Sequence, residues 1–387
     1  MEDREEAYRY WLHSIEKIGD RAKRNLMDHF KSAKEIYFAP ENYLMQIVSS
    51  RQAEKIREWA VKWQVSAEYE KLLDQKIHMV SIWDEKYPER LRVIKSPPLI
   101  LYYLGHLPDE EKNALAIIGA RECSDYGSFT AKSFGARAGE AGLNIISGMA
   151  RGIDGIGQRA ALDAGGYTFA VLGCGVDICY PASNRELYDV IQEKGGIISP
   201  FLPGTKPQKT LFPYRNRIVA GLSDAVLVIE ARLKSGTWIT VDMALEQGKD
   251  VYAVPGRLTD RLSDGCNLLI RQGAGIALTP EDIIAELAVL KNRRGKEGTA
   301  EENRKPKRTG REDLQKKTKE GEEDFEELSG LIGCLDLVPK STDEILEQAK
   351  NAGMELTFSQ LFFELIRLCM EGKAKQIGGS YFVRKLD

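Results

Sequence analysis

The chain has few of the residues that build metal centres or disulfide frameworks: of its 387 residues four are histidine and six cysteine. Cys123, Cys174, Cys179, Cys266, Cys334 and Cys369 are scattered and form no CxxC pair. They read as small buried hydrophobes in a reducing compartment. No histidine stands beside a cysteine, so no metal is expected. No apolar run approaches the ~20 residues that a membrane span requires. The opening MEDREEAYRYW is acidic and polar, so no signal peptide is expected and the protein reads as soluble and cytoplasmic. Positive charge is not in excess either. The net charge is −3, and any nucleic-acid role must rest on a local patch. Neither a Ser/His/Asp set nor a GxxxxGKS/T loop occurs, which leaves hydrolytic chemistry weakly supported. Asp154, Asp177 and Glu230 remain as carboxylates, each placed where it could equally cap a helix or hold an arginine.

What the chain does have is apolar residues, at 43%, and length enough for two or three domains. Residues 1–75 read as helices, with Tyr8, Trp11, Leu12, Ile15 and Ile18 at helical spacing. The following IGDRAKRNLMDHF suggests a helix-hairpin-helix or a small bundle; such hairpins either grip DNA phosphates or serve only for packing. Residues 76–113, with KYPERL and KSPPLILYYLG, read as a connector lying against the next domain. Over 114–290 strands at 115–118, 144–147, 168–172, 196–199, 224–229 and 250–254 alternate with helical patterns. That alternation predicts an α/β fold with a doubly wound, mostly parallel sheet. Residues 291–325 are almost wholly charged, polar or glycine and read as a disordered linker. Residues 326–387 suggest three helices and a terminal hairpin turning at Gly378-Gly379, the outline of a winged helix. STDEILEQAK should open its second helix with Ser341 or Thr342 as cap and Glu344 near N3. The third helix carries Glu364 and little positive charge beyond Arg367, so DNA and protein contact both stay open.

The most informative stretch runs from Leu115 to Asp154, LAIIGARECSDYG and then LNIISGMARGID. Each half is a buried-type strand that breaks on glycine, at Gly119 and Gly148, and opens into a helix. Glycine permits a sharp turn there, and the N–H groups that follow suit an anion. Each turn also carries a guanidinium, Arg121 or Arg151. A second block, TLFPYRNRIVAGLSDAVLVIEARLKSGTWIT, places Arg215, Asn216 and Arg217 at a helix start, where they suit phosphate and base-edge contacts. Alternatively, one arginine pairs with a core carboxylate such as Glu230. Tyr126, Phe212 and Tyr214 lie beside these groups; aromatic rings among arginines suit base stacking, and each alone equally suits a core. These residues, with Tyr180-Pro181, Ser235-Gly236-Thr237 and Pro255-Gly256, fall at strand carboxyl ends, where such sheets bind ligands.

The ordered run GARECSDYG, SGMARGID, AVLGCGVDICYP, FPYRNRIVAGLSDAVLVIEA, SGTWIT, EQGKDVYAVPG resembles the DprA/Smf family of DNA-processing proteins over roughly residues 80–290. The resemblance implies an extended Rossmann-like fold, with an N-terminal helical segment and a C-terminal winged helix as the family's usual additions. It implies a protein that is not an enzyme and needs no cofactor. Such a protein binds single-stranded DNA, protects it, loads the RecA recombinase during natural transformation, and self-associates as a homodimer. By resemblance the pocket uses Gly119, Arg121, Ser147, Gly148, Arg151, Asp154, Asn184, Arg215, Asn216 and Arg217. The full expected contact set adds Ala120, Tyr126, Gly127, Gly152, Arg185, Lys209, Ser235, Gly236 and Thr237. Three positions depart from the family's usual residues. Gln158 stands for a histidine, Pro200 for a glutamate and Ala182 for a basic residue, whose charge Arg185, Lys206 or Lys209 would have to supply. Two other readings compete. One is a nucleotide-binding enzyme resembling the nucleoside monophosphate phosphoribohydrolases, but Thr240 stands where their PGGxGTxxE motif carries its glutamate. The other is a protein-interaction scaffold with its arginines buried in pairs.

Overall fold

The computed structural model describes residues 4–297, 335, 340–354, 356–371, 373–376 and 381–384. The chain divides into two compact units, Met1–Thr299 and Ala300–Asp387. Helices α1 (Glu5–Ser14), α2 (Asp20–Phe30), α3 (Ala33–Phe38), α4 (Glu41–Leu44), α5 (Ser50–Lys62) and α6 (Val65–Asp74) open the first. The apolar stripe read from the sequence, Tyr8, Trp11, Leu12 and Ile15, is buried together with Leu26, Ile36 and Ile56. Gly19 caps α2 with an extended backbone.

Residues 76–113 are more than a connector. They supply strands β1 (His78–Ser81) and β2 (Ile100–Gly105), with helix α7 (Glu89–Arg92) between them. β2 pairs antiparallel with β1 and with β6 (Gly196–Ser199), through Tyr102 opposite Met79 and Ser199. The prolines of KSPPLILYYLG precede the strand, where a missing N–H costs no ladder bond. The remaining strands are β3 (Ala114–Ile118), β4 (Asn144–Ser147), β5 (Tyr167–Val171), β7 (Ala225–Val228), β8 (Asp250–Ala253) and β9 (Gly275–Ile276). They complete a nine-stranded sheet of order β1-β2-β6-β5-β4-β3-β7-β8-β9. From β6 to β9 every pairing is parallel. Burial on both faces explains why the central strands read as unbroken apolar runs.

Helices α8 (Asp125–Glu140), α9 (Ile153–Asp163), α10 (Arg185–Lys194), α11 (Leu211–Leu222), α12 (Thr237–Glu246), α13 (Asp264–Arg271) and α14 (Pro280–Glu297) link and flank these strands. The chain steps outward from β3 to β6, then crosses so that β7 pairs with the other side of β3. The loops after β3 and β7 therefore leave the sheet in opposite directions, which opens a crevice between them. Among the described residues no helix is long and apolar enough to cross a membrane.

The N-terminal helices dock on the antiparallel edge of this sheet. Tyr10 and Leu72 share one apolar cluster with Val80 and Tyr102. Arg9 Nη1 donates to Ser81 Oγ at 2.9 Å, and His13 Nδ1 lies 2.8 Å from Tyr102 Oη. Burial, and then the neighbouring Lys23 ammonium, hold His13 well below its usual value of 6.5. Because its folded value lies below the unfolded one, its contribution to stability is complete above pH 6.5 and is lost as pH falls beneath that. Urea titrations should show stability falling by about 1 kcal/mol per pH unit below 6.5. His13→Gln should flatten that slope; an unchanged slope would remove His13 as its source.

In the second unit, α15 (Thr342–Asn351) begins on the Ser341–Glu344 capping box that the sequence marks. Helix α16 (Phe358–Met370) has a similar box at Thr357 and Gln360. Strand β12 (Tyr381–Arg384) lies between β10 (Lys340–Ser341) and β11 (Ala374–Gln376), antiparallel to both. Ile345, Leu361, Leu365 and Phe382 form its core. Most of the helix expected around 328–335, the Gly378-Gly379 turn and the linker beyond Glu297 lie outside the described residues. α14 itself runs to Glu297, past residue 291 where the sequence reading begins the linker.

Candidate functional site

A cleft of about 560 Å³ opens at the carboxyl ends of β3, β4 and β7. Gly119, Ala120 and Arg121 supply one wall, with Gly148 and Asp154 beneath. Lys209, Phe212, Arg215 and Asn216 come from α11 and the loop before it. Ser235, Gly236 and Thr237 close the far side. All of these except Phe212, which the sequence marked only as an aromatic beside the arginines, were in the expected contact set.

The other expected residues lie elsewhere. Ser147 is buried and donates to Ile117 O at 2.6 Å. Tyr126 Oη donates to Pro255 O at 2.9 Å. Gly152 and Asn184 line a neighbouring hollow, and Asn184 Nδ2 props the second loop by donating to Met149 O at 3.0 Å. Arg151 is exposed outside the cleft. Arg185 is held by Asp189 at 3.0 Å. Arg217 does not reach the cleft with Arg215. Positions two apart on a helix point about 200° away from each other, so the pair cannot share one face.

The glycines serve close approach rather than the turn alone. The left-handed backbone falls at Met149 (φ 50°) and Gly152 (φ 72°), not at Gly119 or Gly148. A Cβ on Gly148 would stand 1.7 Å from Arg215 Nη1, and one on Gly127 would stand within the carboxylate of Glu230. Glycine at 148 is thus the condition for Arg215 to pass beneath the loop.

Arg215 is only 5% exposed. Its Nη1 donates to Val171 O at 2.8 Å, while its Nε has no partner. Its charge partner is Asp154, itself buried, whose Oδ2 accepts from Gly148 N–H at 3.2 Å. Burial pushes the Asp154 carboxyl up, against the opposing pull of Arg215. Burial likewise lowers Arg215, and Asp154 resists that. An arginine paired with a core carboxylate was one sequence reading, with Glu230 as the example; in the structure Arg215 forms no ion pair among the described residues, and the buried carboxylate whose charge it feels is Asp154. Glu230 accepts from Ser124 N–H at 2.9 Å and from Ser124 Oγ, and so fixes the loop that presents Arg121.

Phe212 stands between the two guanidiniums, with Arg121 Cζ and Arg215 Cζ each 5.8 Å from its ring centre. Tyr180, 42% exposed, lies beside it at 5.7 Å between centroids. Tyr180 and Arg232 line the cleft but were absent from the expected contact set. Their position at strand carboxyl ends was the available signal. Pairing separates the cations further. Arg137, Arg159 and Arg185 on the outer surface each hold a carboxylate. Arg121, Lys209 and Arg232 hold none among the described residues.

Thr240 lines the cleft at 4% exposure, where a phosphoribohydrolase would need its carboxylate. Gln158, the unusual residue of α9, is a buried brace. It accepts from Met149 N–H at 3.1 Å and donates to Thr168 Oγ1 and Phe169 O.

Residues 78–288 match the family described as DNA recombination-mediator protein A. The chain is 42% identical to the DNA processing protein DprA of Streptococcus pneumoniae over 212 residues, 55% of this chain and 75% of that protein. It is 40% identical to the protein Smf of Synechocystis over 54% of this chain and 53% of the relative. The crystal structure of the S. pneumoniae DprA superposes with a TM-score of 0.64 at 33% identity, covering 72% of this chain and 97% of that one. A Helicobacter pylori DprA structure, described as giving insight into a single-stranded DNA binding mode, matches with a TM-score of 0.50 at 30% identity, over 56% of this chain and 97% of that one. With the family match extending from β1 into α14 and enclosing the whole cleft, the chain belongs to the DNA recombination-mediator protein A (DprA/Smf) family.

Proposed function

We propose that this protein binds single-stranded DNA in the cleft between the β3 and β7 loops, without hydrolysing it. The observation that carries this reading is the set of unpaired cations, Arg121, Lys209 and Arg232, around the partly exposed Phe212–Tyr180 pair. Bases stack on aromatic rings with little sequence preference, while the cations meet phosphates. A duplex hides its base faces and gains only the charge contribution. The relative from H. pylori, with its described single-stranded DNA binding mode, supports the same assignment. Two features of the cleft favour non-hydrolytic action. Asp154 is engaged by Gly148 and Arg215, and a threonine stands at 240. In keeping with its family, the protein would protect incoming strands in the cytoplasm and load RecA on them during natural transformation. Exposed Ile276 and Leu278, in and just after edge strand β9, offer apolar side chains for a homodimer contact. The second unit would act as a winged helix, on a linker that follows α14.

Electrophoretic shifts with single strands, duplexes and free nucleotides test the reading. Single strands should bind more tightly than duplexes at moderate salt. The logarithmic salt slope should be shallow, near −2 if three phosphates are met, at about 0.7 per phosphate. Equal affinity for the two forms would refute the assignment.

A further inference from the structure

Two exposed leucines beside the cleft sit among cations. Arg232-Leu233-Lys234 forms the tip of the loop after β7, and Arg257-Leu258 with Arg261 forms the loop after β8. Leu233 is 53% exposed and Leu258 89%. An apolar side chain that far into water contributes nothing to the core. Nor do the cations serve local stability, since Arg232, Lys234, Arg257 and Arg261 form no ion pair among the described residues.

The two loops are tied together and held firmly. Ala231 N–H donates to Leu262 O at 2.7 Å, and Gly265 N–H donates to Ala231 O at 2.8 Å. Asn267 brackets the base of the second loop, accepting from Gly256 N–H at 3.2 Å and donating to Gly256 O at 3.0 Å. Within that loop Asp260 N–H donates to Arg257 O, and Ser263 N–H to Asp260 O. Leu262 and Arg232 also line the cleft, so each of the two loops reaches its edge.

We propose that this rim is an outer subsite for single-stranded DNA. The strand would leave the cleft across it, with bases against Leu233 and Leu258 and phosphates facing Lys234, Arg257 and Arg261. The inference rests on the reading of the cleft as a single-strand site, and it lengthens that site. An occupant with apolar faces and regular negative charge suits the pattern, and a single strand has both. A protein partner of acidic and apolar character is the other occupant that such a surface could take, but adjacency to the cleft favours the strand.

The test uses the full chain with the substitutions Leu258→Ser, Arg257→Ala and Arg261→Ala combined, and oligothymidylates of about 6 and about 20 nucleotides, lengths that bracket common single-strand site sizes. All three side chains lie at the surface, so the melting temperature should not change. The combined variant should bind the long oligonucleotide about tenfold more weakly and the short one within about twofold of the parent. Its salt slope on the long one should fall by about 1.4, two phosphates' worth. Arg121→Ala should weaken binding at both lengths. If Arg121→Ala weakens binding but the combined variant matches the parent at both lengths, the rim does not carry DNA and the cleft reading stands alone. Equal loss at both lengths would overturn a separate outer subsite. Should the parent bind neither oligonucleotide, the cleft reading fails and takes the rim with it.

Discussion

Arg215→Ala should unfold the protein at a markedly lower temperature than the parent. The substitution removes the charge that faces Asp154 and leaves that carboxylate buried with only the Gly148 N–H and its other hydrogen bonds. Removing the cation that offsets a buried carboxylate, together with the Arg215 hydrogen bond to Val171, costs several kcal/mol. In a domain this large that loss moves the melting temperature by on the order of 10 °C. The variant also carries an internal check. Without Arg215 the Asp154 carboxyl rises further, so the folded state holds its proton more tightly than the unfolded chain. The deficit should shrink as pH falls, and Asp154→Asn in the same background should restore part of the stability. A variant that melts with the parent at neutral pH would show that the pair does not hold the cleft together. Any loss of DNA binding by Arg215→Ala must be measured well below its own melting temperature.

Arg121→Ala should do the opposite, losing binding while keeping stability. Arg121 is exposed, and its side chain contacts the Phe212 ring at the cleft mouth. A charge-assisted contact to phosphate contributes about 1–3 kcal/mol, a five- to 150-fold change in affinity. Arg121→Lys should recover part of it, since lysine keeps the charge and loses the planar fork. Arg217→Ala is the matched control. It removes a cation two positions from Arg215 that faces away from the cleft, and its affinity should stay within about twofold of the parent. Normal binding by Arg121→Ala, measured by fluorescence anisotropy, would place the strand somewhere else.

The parallel half of the sheet was legible because a buried parallel strand has one signature, a short β-branched run that ends on glycine. Ala114–Ile118 and Asn144–Ser147 show it in full. Less legible were the strands whose residues serve two purposes. Ile100–Gly105 follows two prolines, and Gly275–Ile276 is too short to show a period. The structure brings Gly119, Arg121 and Arg215 to one cleft, as the spacing predicts, because strand ends fix their positions whatever the side chains do. Sequence spacing misjudged Arg217, placed with Arg215 at one helix start although positions two apart on that helix point away from each other. It also gave Gly148 a turn geometry, when the requirement comes from a guanidinium of a distant helix. No local pattern reports such a contact.

The Arg215 side chain runs from α11, beneath Gly148, to the carbonyl at the end of β5. This has a consequence for the order in which the molecule is made. A chain emerging from the ribosome presents β3, β4 and β5, with Asp154, well before residue 215 exists. Until then that half of the sheet has only the local hydrogen bonds of Gly148 and its neighbours to offset the burial of that carboxylate. The cleft is therefore complete only once α11 has followed and brought the Arg215 guanidinium beneath Gly148.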